Sequence, residues 1–368
     1  MGGRPLKLFV GAIATLTAGF NFAVAASAQE IHIYNWSDYI DEQILKDFTA
    51  ETGIKVVYDT FDTNELLETK LLTGSTGYDI VVPTATFLNR QIKAGVFQKL
   101  DKSKIPNLKN MWPEIQDRVA RYDPGNEYSV TYMWGTTGIG YNVAKIKETL
   151  PNAPVNSWGL LYDAENLKKL SSCGVMLLDS AEDLLPSVMN YIGLKPDLTN
   201  AEDIEKAGAT LEKLRPNIKK FHSDEWKNAL ADGDICAAVG YSGDVFQVAS
   251  RAEEAGKGVE IAYVIPKEGA QLWFDVFAIP ADAPNADGAH KFIDYMMRPE
   301  VIAKATNFVA YANANLASQQ FVDKEVLDNP SIYPDADTLS RLYTVSTVED
   351  PKLQRVITRA WTRAKTGK

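Results

Sequence analysis

From residue 31 onward, two hydrophobic periods take turns along the chain. Residues 31–35 alternate as a strand does, and Asp41 then stands as a cap before a helical run to about Thr52, with Gly53 as its stop. Residues 54–58 are β-branched and aromatic and predict a second strand. Asn64 opens a helix with Leu66, Leu67 and Leu71 on one face, residues 80–82 read as a buried strand ended by Pro83, and 87–94 return to helix before Gly95. Repeated strand–helix–strand units predict a mainly parallel sheet with helices on both faces.

The next stretch, 131–142, is long and extended, with Gly135, Gly138 and Gly140 giving it room to bend. A second αβ unit follows, with helices over 164–170, 181–191, 201–214 and 223–230 and strands over 175–178 and 235–239. Residues 272–279 are again extended, helices cover 286–297 and 300–308, and 309–316 is a third non-helical passage. Three such passages predict a chain that shuttles between two lobes around a cleft. The division expected is 29–134 with 279–309 in lobe one, and 135–278 with 310–368 in lobe two. Two domains joined once would show the same periodicity.

The first 28 residues change the picture of where the protein works. Arg4 and Lys7, an apolar run and Ala26-Ser27-Ala28 have the layout of an export signal cut after Ala28. The expected product is soluble and outside the cytoplasm, with 340 residues, enough for two lobes of ordinary size. The full chain has 38 basic and 48 acidic residues, and removing the signal takes away two bases and no acid. That excess argues against a nucleic-acid partner and favours a cationic ligand. Cys173 and Cys236, the only cysteines, predict a disulfide in an oxidising compartment.

Motifs for chemistry are missing. His32, His222 and His290 have no metal-binding spacing, Gly240-Tyr-Ser-Gly243 fails as a nucleophile elbow by one position, and Gly138-Ile-Gly140 lacks the third glycine of a dinucleotide fingerprint. No cofactor, metal or catalytic residue is assigned. The chain carries instead aromatic-plus-aspartate clusters at segment ends: Trp36-Ser37-Asp38-Tyr39, Tyr241-Ser242-Gly243-Asp244 and Trp273-Phe274-Asp275, with Tyr311 in the third passage. Ring faces attract a cation and a carboxylate neutralises it, so this composition suits an ammonium ligand.

These clusters sit within longer stretches, among them Tyr34-Asn-Trp-Ser-Asp-Tyr39, Gly53-Ile-Lys-Val-Val-Tyr-Asp59, Thr136-Thr-Gly-Ile-Gly-Tyr-Asn142 and Tyr311-Ala-Asn-Ala-Asn315. Through them the chain resembles the periplasmic polyamine-binding proteins of ATP-driven uptake systems, above all the putrescine-binding branch, over essentially its whole mature length. The resemblance implies an α/β, two-lobed class II binding-protein fold and a disulfide matching Cys173–Cys236. It also implies a monomer that delivers its ligand to ABC permease subunits in the inner membrane, without enzymatic activity. The ligand residues it implies are Trp36, Ser37, Asp38, Tyr39 and Thr84 from the first lobe. From the second lobe and the crossings come Asp183, Ser223, Tyr241, Asp244, Trp273, Asp275 and Tyr311. Asp183, Tyr241 and Trp273 depart from the Glu, Trp and Phe common in the putrescine branch, and Trp273 resembles the spermidine-preferring relatives. Putrescine is expected first, with spermidine the second choice. An exported amine-processing enzyme or a polyamine sensor on the same fold are the alternatives.

Overall fold

The computed structural model of the protein describes residues 1–3 and 29–367, so nearly all of the expected leader lies outside the described residues. The first elements form as their local chemistry dictates. In the helix Glu42–Thr52, the Asp41 carboxylate accepts from the Gln43 N–H and Gly53, at φ 71°, closes the other end onto the Thr49 carbonyl. Ile44 and Phe48, one turn apart, are the residues it buries. In the helix Asn64–Thr73 the cap is Thr63 rather than Asn64, and Leu67 and Leu71 alone face inward while Leu66 is exposed.

Ten strands make one continuous sheet: β1 (Glu30–Trp36), β2 (Lys55–Phe61), β3 (Ile80–Val81), β4 (Ser129–Asn142), β5 (Val175–Leu177), β6 (Lys220–Phe221), β7 (Ala237–Tyr241), β8 (Ile261–Val264), β9 (Gln271–Ala278) and β10 (Ala312–Asn313). Its order is β2-β1-β3-β9-β4-β7-β5-β6, with β8 and β10 also paired to β4. β2-β1-β3 and β7-β5-β6 are parallel trios, and the antiparallel pair β4–β9 joins them. β4 is buried along almost its whole length and belongs to both halves.

Two hydrophobic cores lie on either side of this junction. One is built from residues including Ile31, Phe48, Trp134, Phe277 and Phe292, the other from residues including Ile139, Trp158, Leu184, Trp226 and Ile357. Along the chain, buried residues change core between Trp134 and Ile139, between Val248 and Leu272, and between Ile332 and Val345. The third change falls later than the non-helical passage 309–316. Ala312 and Asn313 pair with Trp134 and Met133 in the first half of β4, which holds Tyr311, Ala312, Ala314 and Ile332 in the first core. The segment expected in the second lobe from 310 is therefore split between the cores.

Two helices lie outside the set expected from the sequence. Ser242–Glu254 follows β7 directly, and Pro351–Thr366 packs on Ala201–Leu214, where a methyl group on Gly208 would lie 2.8 Å from the Ala360 Cβ. The helix expected over 223–230 begins only at Trp226. Cys173 and Cys236 form a disulfide, so the loop after Ala164–Leu170 is tied to the residue that precedes β7.

Candidate functional site

The carboxyl ends of both parallel trios point into one cleft, open to solvent at its mouth. Ligands of open α/β sheets bind at strand carboxyl ends, because loops and helix starts gather there. Chain leaving β1 supplies Trp36, Ser37 and Tyr39, and chain leaving β3 supplies Thr84. From the other trio come Asp183, Ser223, Tyr241 and Asp244. The floor is β9, whose inward positions alternate as Gln271, Trp273 and Asp275. Tyr311 enters from behind, after Ala310 turns the chain at φ 56°.

Of the residues expected to contact ligand, only Asp38 does not line this cleft. It sits in the left-handed region at φ 56° and pairs with Lys227 at 3.1 Å and Arg251 at 3.2 Å. Burial alone would raise its carboxyl, but those two cations hold it below the ordinary range. Asp38 is thus a tie between the two halves. A second tie runs from Arg90 to Glu182 at 3.2 Å, with Glu68 on the same guanidinium at 2.6 Å.

Three carboxylates dominate the interior. Each is paired with its own tyrosine: the Tyr39 hydroxyl donates to Asp275 at 2.9 Å, that of Tyr241 to Asp183 at 3.1 Å, and that of Tyr311 to Asp244 at 2.8 Å. Thr84 also donates to Asp275 at 2.7 Å and Thr137 to Asp183 at 2.9 Å. Burial raises all three acids, and Asp275, pressed further by Asp183 and Asp244, is pushed up to about 7. No lysine or arginine among the described residues acts on Asp183 or Asp275. Lys227 lowers Asp244 through space, yet is itself bound to Asp38 and Asp224. Asp183 and Asp244 also occupy the first turns of helices that start at the cleft, where the helix dipole favours negative charge.

Aromatic rings wall the slot edge to face. The centroids of Trp273 and Tyr311 are 5.2 Å apart, those of Trp273 and Tyr241 5.7 Å, and those of Tyr39 and Tyr311 5.3 Å. Trp36 is fixed by its indole N–H to the Val82 carbonyl at 2.9 Å and leans on Phe61. Two glycines let these rings in. A Cβ on Gly135 would lie 2.7 Å from the Trp273 ring, and one on Gly243 would lie 2.5 Å from the Tyr311 ring and 2.6 Å from the Val309 carbonyl. Gly243→Ala is therefore expected to force Tyr311 off Asp244 and to lower stability by roughly 1–3 kcal/mol. Urea unfolding checks this, and an unchanged midpoint would mean the start of the helix simply shifts.

Several lining residues escaped the sequence reading. Asn64 accepts from the Thr84 N–H and donates to its hydroxyl, while Glu65, Glu182 and Lys227 also line the cleft. For these, no local pattern marks the pairing, since partners lie far apart in sequence. Gln271 was findable, because it sits two positions before Trp273 on the same strand face. Among the described residues, no group of histidine, cysteine, aspartate and glutamate side chains could hold a metal ion. The arrangement offers acceptors and ring faces, a composition that suits a flexible cation.

Comparison with known proteins agrees in outline. Residues 43–334 match the family model of the bacterial extracellular solute-binding proteins. The chain is 53% identical to the putrescine-binding periplasmic protein of Escherichia coli K12 over 98% of this chain and 97% of that one. It is 49% identical to a putrescine-binding periplasmic protein of Pseudomonas aeruginosa, covering 94% of each. Among solved structures, a spermidine/putrescine ABC transporter substrate-binding protein of Streptococcus pneumoniae superposes with a TM-score of 0.76 at 33% identity, over 92% of this chain and 99% of that one.

Proposed function

We propose that this chain, which belongs to the bacterial extracellular solute-binding protein family, captures a polyamine in the periplasm and hands it to the permease of an ABC uptake system. Its relatives are binding components of transport, and the chain is one as well, not an enzyme. Putrescine is the first ligand on similarity, since the two relatives above carry that name.

The observation that carries this reading is the set of three cleft aspartates, Asp183 and Asp275 buried and Asp244 half-buried, each with a tyrosine of its own. Taking carboxylates out of water without a cation costs several kcal/mol apiece. A diammonium chain reverses that cost by placing charge-assisted N–H donors against acceptors whose remaining lone pairs face the slot. Asp244 and Asp275 would hold primary ammonium groups, and Asp183 the amine farther along. Trp36, Tyr241, Trp273 and Tyr311 would flank the methylenes and add cation–π attraction. Ser37, Thr84 and Ser223 would take remaining N–H donors directly or through water.

The cleft lies between the two cores, so a ligand touching both sides binds the closed arrangement better and draws it together about the crossings. Asp38 with Lys227 and Arg251 would then lock the mouth rather than touch the amine. The working protein on this reading is a monomer that has lost residues 1–28. A thermal-shift screen of putrescine, cadaverine, spermidine, spermine and agmatine tests the proposal. Ligand at a hundred times its dissociation constant stabilises by about 2.7 kcal/mol, which is a clear rise in melting temperature. Identical melting with all five at millimolar concentration would rule the function out.

A further inference from the structure

Gln271 is 6% exposed, lines the cleft, and its amide oxygen has no hydrogen-bond partner among the described residues. The indole N–H of Trp273, the next inward position on β9, is likewise buried and unpartnered. A buried polar group left without a partner costs about 1–3 kcal/mol, so two in succession on a binding surface mark a place completed from outside the protein. Their location says by what. Gln271 pairs in register with Thr137, whose hydroxyl donates to Asp183, and Thr137 in turn pairs with Tyr241, the tyrosine that also binds Asp183. Gln271 therefore stands at the Asp183 end of the floor. Asp275, four residues along the same strand, is about 13 Å away at the opposite end.

We infer that Gln271 is a ligand-binding residue that accepts a hydrogen bond from the ammonium group held at Asp183, and so makes the cleft prefer two-ended amines over one-ended ones. The inference rests on the amine-binding reading above. An ammonium group has three N–H donors, and the Asp183 oxygens, each already taking a hydroxyl, leave at least one donor seeking an acceptor. The amide oxygen supplies it without adding a fourth negative charge to the slot. A half-turn about the last side-chain torsion exchanges the amide oxygen and nitrogen, so this acceptor can be brought to face the ligand. The Trp273 N–H beside it has no acceptor on a fully protonated amine.

Calorimetry with putrescine and with n-butylamine, which keeps one ammonium and the same carbon chain, tests this on the full-length mature protein. Gln271→Leu is expected to weaken putrescine by at least about fivefold and to leave n-butylamine within threefold, so the ratio of the two affinities falls. Gln271→Glu, which keeps an acceptor there, is expected to hold putrescine within threefold or bind it more tightly. Equal losses for both amines, or loss in both variants, would assign Gln271 a structural role and overturn the inference, as would unchanged putrescine affinity in Gln271→Leu. If the unsubstituted protein binds neither amine, the amine-binding reading fails as well, an outcome distinct from all the others.

Discussion

Asp275→Asn is expected to weaken capture of a diammonium ligand by at least about tenfold and, at neutral pH, to make the unliganded protein harder to unfold. Both effects follow from one carboxyl. Burial pushes Asp275 up to about 7, the Thr84 and Tyr39 hydroxyls pull it back, and Asp183 and Asp244 press it upward again. An acid whose pKa is raised on folding holds its proton in the native state while the unfolded chain has already released it. Stability of the unliganded protein therefore falls as pH rises from about 4 to about 7 and is level above that, for a total of roughly 4 kcal/mol. The asparagine removes this slope. Ligand binding runs the other way. A cation favours the ionised carboxylate, so affinity climbs with pH through about 7 and then levels off, with protons released on binding below that point. Calorimetry between pH 5.5 and 8, beside thermal melts of both proteins, reads all of this. A flat affinity profile together with unchanged binding by Asp275→Asn would take Asp275 out of the site.

Removing the disulfide should have the largest effect on stability alone. Cys173 and Cys236 are 63 residues apart in sequence, and a loop of that length restrains the unfolded chain by up to about 4 kcal/mol. Cys173 packs against the second core, in which Cys236 is fully buried just before β7, the strand that ends in Tyr241. The double substitution Cys173→Ser and Cys236→Ser is expected to shift the urea midpoint strongly and to affect ligand affinity much less, since neither residue lines the cleft. A midpoint that moves by less than the equivalent of about 1 kcal/mol would show that the packing around the bridge, not the bridge, stabilises this half.

How much of this was readable from residues alone varies with the range of the interaction. Capped, amphipathic elements such as Glu42–Thr52 carry their boundaries in adjacent residues, so the Asp41 cap and the Gly53 stop were legible. The aromatic-plus-aspartate clusters were legible too, because each is contiguous. Which tyrosine serves which aspartate was not: Tyr39 and Asp275 are separated by 236 positions, and only the sheet order brings them together. Asp38 shows the reverse case. Its neighbours Trp36, Ser37 and Tyr39 line the cleft, yet a left-handed turn sends its carboxylate to Lys227 and Arg251 instead. The third change of core was misplaced for a similar reason, since a two-residue strand, β10, decides where Tyr311 belongs and leaves no periodic trace.

The three changes of core have a consequence for how this molecule can be taken apart. Neither half is an uninterrupted stretch of polypeptide: the first collects pieces from before 135 and after 271, and the second is closed by the chain's last helix, Pro351–Thr366. A gene cut at the middle crossing encodes no complete half, and a single proteolytic nick at one crossing leaves the halves joined through the other two.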